Sequence, residues 1–267
     1  MFEGILLVTD MDGSLLNDKK EISKKDMESI EFFEKNGGKF TIATGRIVDS
    51  AREYVEKITI NFPVIVYNGG KVFDYRNEKS LSERTLSREK KEVLNKILED
   101  KLNVGIEVYA DEIVYIVKET ELTDRPALKP CTVEFNVPED FIERNWNKIL
   151  LTGDKEYIDE VEKNFSKYGV GRAIRSGKCF LEVLPDGVSK LTGIREAMKV
   201  EGMEDYKLVT VGDDLNDREM ILGADFGFVM ENANKELLKE AKYVGTNNNN
   251  DPITYIIEFL QKNLVHN

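Results

Sequence analysis

The sequence predicts an α/β protein: a Rossmann-like core built on a parallel sheet, with an inserted α+β domain. Three observations predict it. Apolar runs of strand length alternate with amphipathic helical stretches over residues 1–76, and again over residues 185–267. Between them, residues 77–184 switch to hairpin patterning. The core strands end in acidic and hydroxyl side chains, and open parallel sheets bind ligands beyond the carboxyl ends of their strands.

The elements follow in order. Residues 4–9 (GILLVT) are continuously apolar, as a strand buried on both faces requires. Ser23 with Asp26 resembles a capping box for a helix that places Met27, Ile30 and Phe33 on one face, and Gly37 is its natural stop. Residues 39–44 and 63–68 read as the second and third strands of the sheet, with a helix over 47–57 between them. After Asp74, a helix over 87–100 precedes two runs, 104–109 and 113–118, around an Ala-Asp-Glu turn. A strand over 147–152, a polar-faced helix over 154–168 and a hairpin of 171–175 with 179–184 complete the insertion. The βα rhythm then resumes with a helix (189–201), a strand (207–212), a short helix (216–222), a strand (226–230) and a helix (235–242). Asp251 and Pro252 start a terminal helix.

Composition narrows the function. The 267 residues are 41% hydrophobic and 33% charged, a balance that supports a globular core. The net charge of −12 leaves no basic stripe for nucleic acid. No apolar stretch is long enough to span a membrane, and the opening residues lack a signal pattern, so a cytoplasmic location is expected. Cys131 and Cys179 are expected to be reduced thiols, at least one of them in the core. The single histidine, His266, lies next to the C-terminal residue and is a poor catalytic candidate. With a His triad and a His-rich zinc site set aside, carboxylates, hydroxyls and lysines must carry any chemistry. The run of residues 247–250 is the one biased stretch.

Four candidate sites stand at element ends. Asp10 and Asp12 leave the first strand at i and i+2 before Gly13, hard oxygen ligands suited to Mg2+; a solvated acidic turn is the plainer reading. Thr44, Gly45 and Arg46 end the second strand and suit a phosphoryl oxygen, though Thr44 as a helix cap fits equally. Lys190 opens a helix, where ammonium and dipole add; most lysines simply face solvent. Asp213, Asp214, Asn216 and Asp217 crowd the end of residues 207–212, and a divalent cation relieves such repulsion; an acidic helix start is the alternative.

Taken together, Asp10-x-Asp12-Gly13, Thr44-Gly45-Arg46, Lys190 and Gly212-Asp213-x-x-Asn216-Asp217 resemble the four motifs of the haloacid dehalogenase (HAD) superfamily. The insertion resembles that superfamily's C2-type cap. Tyr67-Asn68-Gly69-Gly70 and Val229-Met230-Glu231-Asn232-Ala233 look like the Cof-type subfamily (IIB). Ser14 stands where the family usually has Thr, which keeps the hydroxyl.

The resemblance implies a phosphatase that forms an aspartyl-phosphate on Asp10, with Asp12 as general acid and base. It implies magnesium held by Asp10, the Asp12 carbonyl and Asp213. Thr44, Gly45, Arg46, Lys190 and Asn216 would contact substrate phosphate. Asp217 and Asp214 would orient Lys190 or metal-bound water, although for Asp214 a plain helix-start acid is preferred. The insertion would close over the site and select the substrate, a small phosphorylated metabolite: a sugar phosphate, or a cofactor phosphate such as pyridoxal phosphate or flavin mononucleotide. A phosphomutase of the same superfamily and a non-catalytic sugar-phosphate sensor are the alternatives. A flavodoxin-like redox module would leave the acids at 213–217 without a purpose. The oligomeric state stays open.

Overall fold

The structure is a computed structural model, and it describes residues 1–171 and 173–264. His266 lies outside the described residues, as does Arg172 of the second expected hairpin. The chain divides into two compact units. One comprises Met1–Arg46, Ala51–Ser82 and the segment from Ser189 onward; the other comprises Ile47–Ser50 and Glu83–Val188.

The first unit is built on a parallel five-stranded sheet. Its order is Tyr243–Val244, Phe226–Val229, Lys207–Gly212, Ile5–Thr9, Lys39–Ile42. Ile5–Thr9 is buried throughout, as its unbroken apolar run demands. Its neighbours lie on opposite sides, with Thr9 opposite Val211 on one and Ile42 on the other. The strand order therefore reverses about Ile5–Thr9. Such a switch point opens a crevice at the carboxyl ends of the strands.

The helix Lys24–Lys35 starts where Ser23 accepts the Asp26 N–H (3.0 Å). Only half of the expected capping box forms, because the Asp26 carboxylate instead accepts the Thr254 N–H (2.8 Å) and hydroxyl (2.9 Å). The helix ends before Gly37, whose φ of +94 reverses the chain.

The third expected strand does not join the parallel sheet. Val64–Val66 meets it through one bridge, Ala43 to Ile65, and otherwise belongs to an antiparallel sheet with Lys71–Asp74 and Lys79–Glu83. The cause is local. Tyr67 and Asn68 take positive φ (52 and 54), which folds the chain back on itself.

The second unit holds a six-stranded sheet: Ile174–Gly177, Phe180–Val183, Trp146–Thr152, Gly105–Ala110, Ile113–Lys118, Thr132–Glu134. All of its pairs are antiparallel except the last, an edge pair that is parallel. This separate α+β unit fits a cap domain. Ile106, Val108, Ile149, Leu151, Leu181 and Val183 put one face of the sheet into an apolar core with Trp146 and Phe165. Alternation sends Glu107, Tyr109, Lys148 and Glu182 to the other face, and all four are buried there. They are paired: Arg125 grips Glu107 (Nη2 to Oε2, 2.7 Å) and Tyr109 (2.8 Å), and Lys148 meets Glu182 (3.1 Å).

Neither cysteine is in a core, contrary to expectation. Cys179 sits in the turn between Ile174–Gly177 and Phe180–Val183, Cys131 immediately before the edge strand Thr132–Glu134; neither is in a disulfide and both are partly exposed. Among the described residues, no helix is long and apolar enough to cross a membrane.

Candidate active site

Strand pairing assembles the site. The Asp10 N–H donates to the Val211 carbonyl (2.8 Å), so Asp10 continues the first strand beside the end of Lys207–Gly212. Asp213 follows that strand directly. The carboxylates of Asp10, Asp213 and Asp217 consequently offer ligand atoms within 4.8 Å of one another.

Lys190 enters this group from the first turn of Lys190–Val200. Ser189 caps the helix in a reciprocal box with Thr192. Lys190 is 1% exposed, and its ammonium donates to Asp10 Oδ1 (2.5 Å) and Asp217 Oδ1 (2.5 Å). Burial opposes its charge, but Asp10 and Asp217 outweigh burial and hold its pKa above the ordinary value. Asp217 Oδ2 also accepts the N–H groups of Asp213 (2.9 Å) and Asp214 (3.1 Å). Both of its oxygens are thus engaged in holding neighbours.

Two carboxyls stay under-compensated. Burial, with Asp217 and Asp12 adding repulsion against the pull of Lys190, pushes Asp10 up to about 7. Burial and then the charges of Asp10 and Asp217 push Asp213 up to about 9. Three acids face one ammonium.

The donor set fits a hard divalent cation. Among the described residues Asp213 Oδ1 accepts only a long bond from Ser14 (3.2 Å), and a Cβ at Gly13 would lie 2.4 Å from Asp213 Oδ2. Gly13, at φ +87, is therefore required for the turn and for the room that Asp213 occupies. Carboxylate oxygens at this density suit an oxygen-seeking ion and offer nothing to a soft one.

A second group surrounds Asp12. Arg46 forks onto its carboxylate (Nε to Oδ2, 2.7 Å; Nη2 to Oδ1, 2.9 Å) and Lys20 adds a third bond (2.9 Å). Burial raises the Asp12 pKa, but Arg46 and Lys20 overcome it and hold the carboxyl at about 2. The Arg46 guanidinium lies over the Tyr54 ring, 4.8 Å from its centre.

A third group joins the remaining candidates. Thr44 is buried, and its hydroxyl accepts the Arg46 N–H (3.1 Å). Gly45 packs against Asn68; a Cβ there would sit 2.9 Å from the Asn68 amide nitrogen. Asn216 donates to Asn68 Oδ1 (3.0 Å). Asp214 caps its own short helix, accepting the Leu215 N–H (2.8 Å) and the Asn234 amide (3.1 Å).

The profile of the haloacid dehalogenase-like hydrolases matches residues 7–257. The chain belongs to that family. The hydrolase is similar to two 5-amino-6-(5-phospho-D-ribitylamino)uracil phosphatases. One, from Bacillus subtilis, is 28% identical over 94% of both chains; the other, from Escherichia coli, is 25% identical over 96% of both. A solved HAD subclass IIB sugar phosphatase superposes with a TM-score of 0.81 at 21% identity, covering 96% of this chain and 98% of that one. The HAD hydrolase described here is of the Cof type and is a phosphoric monoester hydrolase.

Two residues of the HAD site carried no role in the sequence reading. Lys20 stands in a polar stretch, and nothing in its neighbourhood shows that it turns back onto Asp12. Asn68 was visible only as part of the Tyr67–Gly70 run. Its role follows from the fold: a Cβ at Gly69 would lie 1.9 Å from the Ser189 carbonyl, so the backbone at 68–69 presses on the start of the Lys190 helix.

Proposed function

We propose that this hydrolase is a magnesium-dependent phosphatase of small phosphomonoesters, acting through an aspartyl-phosphate on Asp10. The observation that carries the proposal is the meeting of Asp10, Asp213, Asp217 and Lys190 at adjacent strand ends. Asp10, Asp213 and the Asp12 carbonyl would hold magnesium, which when bound offsets charge on the phosphoryl group and makes phosphorus more electrophilic.

The chain's own groups then do the following. An Asp10 oxygen attacks phosphorus as the ester P–O bond breaks. Lys190 steers that carboxylate and offsets charge on the transferring group, while Asp217 holds the ammonium in place. Thr44, Gly45, Arg46 and Asn216 contact the remaining phosphoryl oxygens. Asp12 gives its proton to the leaving oxygen, then takes one from the water that attacks phosphorus and releases Asp10. A carboxyl held at about 2 is ionised, so Asp12 must first leave Arg46 and Lys20 and take up a proton from solvent before it donates one to the leaving oxygen. Asp214 stays a structural cap.

The relatives' substrates favour a phosphorylated polyol, sugar or cofactor as the physiological ester. We assign the α+β unit Glu83–Val188 to the cap that selects it, and place the enzyme in the cytoplasm.

The test is phosphate release from a panel of sugar, ribityl and cofactor phosphates with magnesium present. Asp10→Asn should lose on the order of 10⁴-fold or more in kcat. Near-wild-type turnover by that variant removes the nucleophile. An isomer in place of inorganic phosphate indicates a mutase, and failure of every ester to label the enzyme indicates a sensor.

A further inference from the structure

The asparagine run at 247–250 takes no part in the reaction above, yet it is bonded directly to the catalytic loop. Asn248 is only 8% exposed. Its side-chain amide donates to the Leu16 carbonyl (3.1 Å) and to Asp18 Oδ1 (3.1 Å). Its backbone N–H donates to Asn232 Oδ1 (3.0 Å), and the Asn232 amide donates to the Gly13 carbonyl (2.9 Å). Asn249 pairs with Asp18 in both directions: its amide reaches Asp18 Oδ2 (3.1 Å), and the Asp18 N–H reaches Asn249 Oδ1 (3.1 Å).

These bonds fall on a defined segment. The carbonyls of Gly13 and Leu16 bracket Ser14, which donates to Asp213. Gly13 follows Asp12 directly, and Leu16 is bridged to Asp12. Beyond Asp18 the chain turns through Lys20, at φ 61, and returns its ammonium to Asp12. The segment's other main-chain bonds include short turns, Leu15 N–H to Asp10 and Leu16 N–H to Met11, and the side chains of Leu15 and Leu16 are buried.

The chemistry calls for an amide. A buried carbonyl such as that of Leu16 needs a donor, and leaving it unpaired is costly. Asn232 must accept from one neighbour and donate to another, and an amide does both where a carboxylate cannot.

We propose that Asn248, acting with Asn232, is a positioning residue for phosphoryl transfer: the two amides clamp the loop that carries Asp12 and Ser14. This inference rests on the phosphatase reading. The clamp touches no reacting atom. It fixes the loop geometry on which turnover depends, so its loss appears in kcat before KM.

The experiment measures kcat and KM for an aryl phosphate, together with amide hydrogen exchange of the peptide spanning residues 10–20. It compares the wild type with Asn248→Ala, Asn248→Asp and Asn250→Ala. Both Asn248 variants should lose on the order of 10- to 100-fold in kcat, the scale of an ångström's misplacement. Their KM should stay within about threefold of wild type. Exchange should rise in the loop peptide and not in the Lys190–Val200 helix. Asn248→Asp is the discriminating variant: it keeps size and acceptors but turns the donor into a carboxylate facing the Leu16 carbonyl and Asp18. A residue that merely fills space tolerates that change. Asn250→Ala is the control and should match wild type, since its side chain makes no hydrogen bond among the described residues. Wild-type kcat and exchange in Asn248→Asp overturn the clamp, and so does exchange that rises equally across the chain. If the wild type hydrolyses no ester while loop exchange still rises in the Asn248 variants, the phosphatase reading fails and the clamp stands.

Discussion

Each unit buries charged side chains, and the two do so on different terms. In the α+β unit the charges balance. Arg125 matches Glu107, Lys148 matches Glu182, and Tyr109 lies between them with its hydroxyl bonded to Glu107 (2.7 Å) and Arg125. In the parallel-sheet unit they do not: Asp10, Asp213 and Asp217 share one lysine. A balanced buried pair is accounted for as structure, which removing one partner damages. An unbalanced cluster instead keeps two carboxyls far above their usual range, and that imbalance marks a place for something not made of protein.

The largest effect that separates the two should come from Asp213→Asn. We expect about a 10³-fold or greater loss of kcat/KM. In chelator its melting temperature should equal or exceed wild type, because the carboxyl replaced was already under pressure to be neutral. The wild type's thermal shift on adding magnesium should vanish. A melting temperature that drops sharply in chelator breaks the comparison.

Arg125→Met should show the opposite profile. It leaves the buried Glu107 carboxylate without its cation, held only by the Tyr109 hydroxyl, and stability should fall by about 3–5 kcal/mol in denaturant titration. Adding Glu107→Gln should restore part of that loss. If Arg125→Met were thermodynamically silent, the pair would not be the closed structural unit described.

A smaller effect follows from pH. A carboxyl whose folded pKa is raised contributes stability below its unfolded value, near 3.8, and loses it as pH rises through the folded value. For Asp10 and Asp213 that window extends up to about 7 and about 9. In chelator, wild type should lose melting temperature relative to Asp213→Asn as pH rises from about 4 to about 9. Magnesium should flatten the difference. A constant difference across that range would show that the repulsion is not felt.

The smallest effect concerns Glu34, remote in sequence from either cluster. Burial, against the pull of Lys39 and Arg76, raises it to about 7. Glu34→Gln should raise the melting temperature near pH 8 and change nothing below about pH 4, since both forms are then neutral.

The parallel core was legible because its strands are unbroken apolar runs and its acids fall where those runs stop. That Asp10 and Asp213 meet was implied only by the family resemblance, since apolar runs do not say that residues 5–9 and 207–212 lie side by side. The departure of Val64–Val66 was not legible: its apolar pattern matches a sheet strand, and only the left-handed turn at Tyr67 and Asn68 diverts it. Asn232 and Asn248 were hidden for a different reason. Apart from Asp18 and Asn249, their partners are main-chain groups, which every residue has, so no side-chain pattern announces them. The pairing of Glu107 with Arg125 was likewise out of reach, because Arg125 lies outside the strands, beside the short turn Glu121–Asp124.

The contact of Gly69 with the Ser189 carbonyl has a topological consequence. It draws together two points of the chain that flank the long excursion through Glu83–Val188. Closing a longer or shorter excursion at the same two points changes the entropy only logarithmically, by about 0.6 kcal/mol per doubling. A lineage could therefore exchange the excursion for one of another size or surface while the glycine contact kept the lysine helix seated, and new substrates would be reached without reworking the phosphoryl chemistry.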